Sequence, residues 1–189
     1  MSEPLELWII RHGETEWSLS GQFSGRVDLP LTAHGEEEAR ATARALDGVS
    51  LDLVLCSPLQ RARRTCEIAG YLSQARIEPA VAEWDYGDCT GFTEAQMRER
   101  FPGWTVWDGP IPGGESIEDV AARARGVISS LPPHGRVAVF SHGHFLRVLT
   151  TQFLRIEPQH GRHLALETGT LSILGLSDSF PAVLRWNQR

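Results

Sequence analysis

The sequence predicts an α/β fold in which a largely parallel sheet is covered by helices on both faces. Two observations carry that prediction. Short apolar runs of strand length alternate with longer stretches of helical periodicity, as in βαβ connections. Two of the runs, Leu7-Trp8-Ile9-Ile10 and Val137-Ala138-Val139-Phe140, lead straight into Arg11-His12-Gly13 and Ser141-His142-Gly143. A strand that ends on an imidazole delivers it to the carboxyl edge of the sheet, where ligands bind in open α/β proteins.

The elements follow in order. Leu5–Ile10 reads as a buried strand. Thr32 caps a helix to about Leu46, with Ala39, Ala43 and Leu46 on one face and Glu36, Glu37, Arg40 and Arg44 outside. Leu53–Cys56 is a second strand, and Ser57-Pro58 supplies an N-cap followed by proline at the first helical position. The helix after it buries Ala62, Cys66 and Ala69, and residues 77–82 read as a short strand or extended segment. The stretch 85–114 is irregular and rich in Gly, Pro and Trp, with a short helix over 93–100. It is long for a connection, which marks it as a lid-like insertion in a single domain spanning 1–189. Ser116 caps an amphipathic helix with a stripe of Val120, Ala124, Val127, Ile128 and Leu131, ended by Pro132-Pro133-His134-Gly135. Strand 137–140 precedes a helix from about His144 to Leu154. Two or three strands with turns at Gly169 and 177–180 fill the tail.

Composition narrows the function. With 24 acidic and 18 basic residues the net charge is −6, so the broad basic face of a nucleic-acid binder is missing. Arginine dominates the basic residues, and its planar fork suits phosphate oxygens. No apolar run approaches the ~20 residues that span a bilayer. Met1-Ser2-Glu3-Pro4 has no signal-peptide character, so a cytoplasmic protein without membrane contact is expected. Cys56, Cys66 and Cys89 form no CxxC pair and read as buried free thiols.

Four segments carry chemistry. His12 follows its strand beside Arg11, and neighbouring guanidinium charge keeps an imidazole neutral and nucleophilic. Gly13 lets the backbone turn and a phosphate approach. Arg61 falls in the first turn of its helix, where cations oppose the dipole, so a bound anion is expected beside it. Glu83, between Ala82 and Trp84-Asp85-Tyr86, sits among aromatics that suit a carboxyl to general-acid work. His142 mirrors His12 and could give hydrogen bonds and positive charge to a transferring phosphoryl group. His144 can line the same pocket or sit on the surface. The His142-Gly143-His144 spacing has no aspartate-rich or HExxH partner set, so no metal is expected.

In this order, Arg11-His12-Gly13-Glu14-Thr15-Glu16-Trp17, Asp28-Leu29-Pro30-Leu31-Thr32, Ser57-Pro58-Leu59-Gln60-Arg61-Ala62-Arg63-Arg64-Thr65, Glu83 with Tyr86-Gly87, and Ser141-His142-Gly143 resemble the histidine phosphatase superfamily, also called phosphoglycerate mutase-like. The resemblance covers nearly the whole chain and implies a three-layer α/β/α sandwich with a mostly parallel central sheet. It implies that His12 is phosphorylated, that Arg11, Arg61 and His142 bind the phosphoryl group, and that Glu83 shuttles the proton, with no metal or cofactor. It also places Thr15, Ser18 and Gly25 against the substrate, and Gly143 and His144 are further candidates for substrate contact. The chain most resembles small phosphatases, some acting on sugar phosphates such as sedoheptulose bisphosphate and others of broad specificity. Thr90-Gly91 departs from the glutamate-glycine often found there.

The expected function is therefore metal-independent hydrolysis of small phosphorylated metabolites. A cofactor-dependent phosphoglycerate mutase is the first alternative, disfavoured because Arg98 and Arg100 are the only basic residues between Glu83 and Ser116. A non-catalytic phospho-ligand domain is the second, and a metallohydrolase using His142 and His144 the third. Trp104 and Trp107 either pack the lid or form a platform for substrate. The sequence leaves oligomeric state open.

Overall fold

The computed structural model describes residues 3–189; Met1 and Ser2, part of the N-terminal stretch read above, lie outside the described residues. Among these, the strands are β1 (Glu6–Arg11), β2 (Leu53–Cys56), β3 (Arg76–Ile77), β4 (Arg136–Ser141), β5 (Leu171–Ser177) and β6 (Phe180–Gln188). They form one sheet in the order β3-β2-β4-β1-β5-β6. The first four run parallel, and β5 and β6 close one side antiparallel. The helices are α1 (Glu16–Ser20), α2 (Ala33–Ala45), α3 (Gln60–Ile68), α4 (Glu94–Arg100), α5 (Ile117–Ser129) and α6 (Gly143–Leu154).

Strand periodicity explains the layering, because alternate side chains point to opposite faces. Leu7, Ile9, Leu55, Val137 and Val139 meet α5, α6 and Met97 of α4 on one face. Ile10, Val54, Cys56, Ala138 and Phe140 meet Ala62 and Cys66 of α3 and Leu46 beyond α2 on the other. Each fully buried aliphatic or phenyl side chain contributes about 1.5–3 kcal/mol, so both faces of the sheet are anchored. All three cysteines are buried free thiols.

Caps formed within one turn appear where the residue types place them. Thr32 Oγ1 accepts from the Gly35 N–H at 3.0 Å, and Ser116 and Asp119 form a capping box on α5. The tail is one hairpin, turned by Asp178 and Ser179 at φ 49 and 71. Two boundaries differ from expectation. Residues 77–82 give a strand of only two residues, Arg76–Ile77, because Pro79 opens a 3₁₀ turn over Pro79–Val81. Ser57-Pro58 does not start α3. The helix begins at Gln60, whose N–H donates to Asp28 Oδ1 at 2.7 Å, so the anion at this N-terminus is a carboxylate of the chain itself.

The sheet sets up the site. β1 and β4 are parallel neighbours in a register that pairs Arg11 with Ser141, and the His12 N–H donates to the Ser141 carbonyl at 3.0 Å. His12 and His142 therefore leave the sheet side by side. Gly13 serves a close backbone crossing: a Cβ there would stand 2.1 Å from the Gly35 carbonyl oxygen, and one at Gly35 would stand 2.2 Å from that of Glu14.

Candidate active site

The His12 ring is oriented by its own loop. Nδ1 lies 2.7 Å from the Gly13 carbonyl oxygen. A carbonyl only accepts, so Nδ1 carries the proton and Nε2 keeps its lone pair. Burial, then the charges of Arg61 and Arg11, hold the imidazole well below its ordinary pKa. His12 borders a cavity of about 150 Å³ together with Arg11, Arg61, Glu83, Gly143 and His144. A neutral, oriented imidazole facing guanidinium groups can act as a nucleophile toward phosphorus.

Arg11 donates one Nη hydrogen to the Leu166 carbonyl, while its buried Nε has no hydrogen-bond partner among the described residues. An unanswered buried donor on a cation is costly, and an anion in the cavity would answer it. Gly143 leaves the room: a Cβ there would lie 3.2 Å from Arg11 Cζ. Arg61 is fixed from three sides, donating from Nη1 to Val27 O at 2.7 Å, from Nη2 to Gly25 O at 2.8 Å and from Nε to His142 Nδ1 at 3.2 Å. That uses three of its five N–H groups.

His142 differs from its expected role. Its ring lies 5.1 Å from that of His12, but it has no exposed surface and does not border the cavity. Nδ1 accepts from Arg61, so Nε2 is the protonated nitrogen and donates to Ser57 Oγ at 2.7 Å. Burial and Arg61 push its pKa well down, so it brings no positive charge. In this geometry it orients Arg61.

Glu83 is buried at the cavity wall, yet in a setting of donors rather than apolar rings. Oε1 accepts from the Trp84 and Phe145 N–H groups, each at 2.9 Å, and Oε2 accepts from the His144 N–H at 3.3 Å. The carboxyl thus caps α6. Its segment is tied to α5: Arg123 donates to the Ala80 and Ala82 carbonyls and to Glu115, which accepts from the Asp85 N–H. Tyr86 shares a 2.7 Å hydrogen bond with His144 Nδ1. Burial and Glu83 raise the Tyr86 phenol, and burial and Arg147 lower His144, so both are neutral.

Of the expected substrate contacts, Ser18, Gly143 and His144 border the cavity. Thr15 and Gly25 do not. Thr15 is fully buried as the cap of α1, exchanging hydrogen bonds with Ser18. Gly25, at φ 48, turns its carbonyl to Arg61. Trp104 and Trp107 are packed into the core, with Trp107 edge-on to Trp84, and neither reaches this cavity. Arg98 and Arg100 are also elsewhere, on the Trp104 carbonyl and over the Phe92 ring. Arg147, to which the sequence alone assigns no role, borders the cavity one turn after Gly143. The four-residue helical spacing was the available signal. Among the described residues, no group of three or more His, Cys, Asp or Glu is arranged to hold a metal ion.

Known proteins resemble this chain in sequence and in fold. A family model described as histidine phosphatase superfamily (branch 1) matches residues 7–189. An acid phosphatase of Mycobacterium tuberculosis is 36% identical over 174 residues, covering 89% of this chain and 85% of that protein. A 2,3-bisphosphoglycerate-dependent phosphoglycerate mutase of Sinorhizobium fredii is 34% identical over 181 residues, covering 86% of each. The solved structure of the open reading frame Rv3214 product from Mycobacterium tuberculosis superposes with a TM-score of 0.90 at 32% identity, covering 97% of each chain.

Proposed function

This chain belongs to branch 1 of the histidine phosphatase superfamily, and we propose on that footing that it hydrolyses small metabolites of the sugar-phosphate class through a phosphohistidine at His12 Nε2. It is a phosphatase, a phosphoric monoester hydrolase. The observation that carries the finer reading is the hydrogen bond from His12 Nδ1 to Gly13, which leaves the nucleophilic nitrogen free beside the unanswered Nε of Arg11.

The steps follow from the positions. Nε2 of His12 attacks phosphorus in line, and the bond from phosphorus to the ester oxygen breaks. Arg11 and Arg61 hold the equatorial oxygens, where charge stabilisation and positioning supply most of the catalysis. Glu83, acting as the general acid, gives a proton to the departing alcohol. It then takes one from a water, whose oxygen attacks the phosphohistidine; the P–N bond breaks and inorganic phosphate leaves. His142 and Ser57 keep Arg61 Nε aimed. The chain acts as one domain, to whose pocket the insertion 85–114 contributes Tyr86. The buried thiols fit a reducing compartment, and we place the enzyme in the cytoplasm. Among the described residues no helix is long and apolar enough to cross a membrane.

The test is phosphate release from sugar phosphates, phosphorylated acids and nucleotides, with His12→Ala as blank. Release by the wild type alone is expected; equal release by both proteins from every compound would remove the reading. The similarity to the mutase keeps isomerisation as a second reading. With 3-phosphoglycerate, free phosphate supports hydrolysis and 2-phosphoglycerate supports the mutase.

A further inference from the structure

Thr65 carries a buried hydroxyl that no step of the hydrolysis uses. It lies in α3, has no exposed surface and does not border the cavity. The hydroxyl donates to the Arg61 carbonyl at 2.8 Å, one turn back in the same helix, and accepts from the Gly13 N–H at 3.1 Å. The first bond is the back-bond that helical threonines commonly make. The second reaches across the fold to the residue that follows His12.

The two bonds work together. Donation to Arg61 commits the hydroxyl proton and leaves a lone pair for Gly13. The β-branched side chain has few rotamers, which fixes the direction of that lone pair. One oxygen therefore joins α3 at Arg61 to the loop whose Gly13 carbonyl turns the His12 ring. Other contacts relate His12 and Arg61 only through β4: the His12 N–H donates to the Ser141 carbonyl, and Arg61 Nε donates to His142. Thr65 relates them directly. On its other side Gly13 packs against Gly35 of α2, where a Cβ at Gly13 would stand 2.1 Å from the carbonyl oxygen. The loop that carries the attacking ring is thus clasped between α2 and α3.

We propose that Thr65 is a positioning residue for phosphoryl transfer, its hydroxyl setting the spacing between His12 Nε2 and the Arg61 guanidinium. It acts through Gly13 and Arg61 and touches no substrate. The proposal rests on the phosphohistidine reading. Spacing matters most when phosphorus is five-coordinate, because only then is it partly bonded to Nε2 while its equatorial oxygens meet Arg61. A bound phosphate ion has no bond to Nε2 and needs only the guanidinium groups.

Two inhibitors separate those states: orthovanadate, which becomes five-coordinate on a nucleophile, and inorganic phosphate, which stays tetrahedral. Their inhibition constants are measured against p-nitrophenyl phosphate hydrolysis for wild type, Thr65→Val and Thr65→Ser. The wild type should bind vanadate about 10²-fold or more tighter than phosphate, as transition-state analogues bind. Thr65→Val keeps the shape and removes the acceptor. Its kcat should fall by about 10²-fold, the scale of a misplacement of about 1 Å, and its vanadate affinity by a similar factor, while its phosphate affinity stays near wild type. Thr65→Ala repeats the deletion without the second methyl of valine. Thr65→Ser keeps the hydroxyl and should keep the preference for vanadate. A purely structural role would weaken both inhibitors alike, or lower Tm and leave both unchanged, and either result overturns the proposal. A folded serine variant that has lost the preference overturns it too, whether or not the valine and alanine variants fold. A wild type without the preference, or with no turnover above the His12→Ala blank, removes the phosphohistidine reading and the proposal with it.

Discussion

The carboxyl ends of β1 and β4 start from the same short pattern, an apolar strand running into His-Gly, and finish differently. His12 turns its ring so that Nδ1 meets its neighbour's carbonyl and Nε2 is left over. His142, one strand away in register, has both nitrogens taken, by Arg61 and by Ser57. Equivalent backbone positions therefore yield one reactive imidazole and one oriented support. The difference comes from what meets each ring, a neighbouring carbonyl at His12 and distant side chains at His142, since the strands themselves are alike.

Paired substitutions break this comparison most sharply. His12→Ala removes the attacking nitrogen and should lower kcat by about 10⁴-fold or more, as loss of a nucleophile does. His142→Ala leaves that nitrogen in place but removes one of the three contacts that fix Arg61, and misplacement of about 1 Å costs roughly 10²-fold. Brief incubation with phosphorus-labelled substrate separates the two. His142→Ala should still trap acid-labile label on the protein, whereas His12→Ala should trap none. Label retained by His12→Ala would contradict the assignment of roles.

Much of the fold could be read locally, because strand alternation and helix caps depend on residues a few positions apart. Thr32 and Ser116 cap where their spacing puts them. What could not be read are pairings across long stretches of chain. Asp28 on the Gln60 N–H replaced the anion expected at α3, and Ser57 was drawn off helix capping by His142. The setting of Arg147, over Trp107 and against the carbonyls of residues 161 and 162, exists only once the chain has folded. Arg11 beside His12 is legible in the sequence; the contacts with Arg61 and Ser57 that occupy the His142 ring are tertiary.

Acidification sharpens the comparison by making the two rings equivalent. His12, His142 and His144 are all held well below the ordinary imidazole pKa, chiefly by burial. Unfolded, they titrate near ~6.5. Below that pH the unfolded chain binds protons that the folded chain refuses, so stability falls as pH falls. Each ring adds up to about 1.4 kcal/mol per pH unit to the slope. Thermal unfolding between about pH 7 and about pH 5 should show a falling Tm. His12→Asn and His142→Asn should each flatten the slope by a similar amount, despite their unequal effects on turnover. A Tm indifferent to pH over that range would show that the rings are not held neutral.

The smallest effect tests the support itself. Ser57 Oγ accepts from His142 Nε2 at 2.7 Å and is also 3.3 Å from the Leu59 N–H. Ser57→Ala takes away the acceptor of both N–H groups and leaves the buried His142 Nε2–H unanswered, which costs about 1–3 kcal/mol of stability. His142 keeps its bond to Arg61, so the ring can pivot but not leave, and kcat should fall only a few-fold. Because Ser57 touches neither the cavity nor His12, the nitrogen that attacks phosphorus is undisturbed. Label trapping should therefore match the wild type while Tm drops. A loss of turnover as deep as that of His142→Ala would mean that the hydroxyl, rather than Arg61, fixes the ring, and the hierarchy drawn between the two strand ends would have to be inverted at β4.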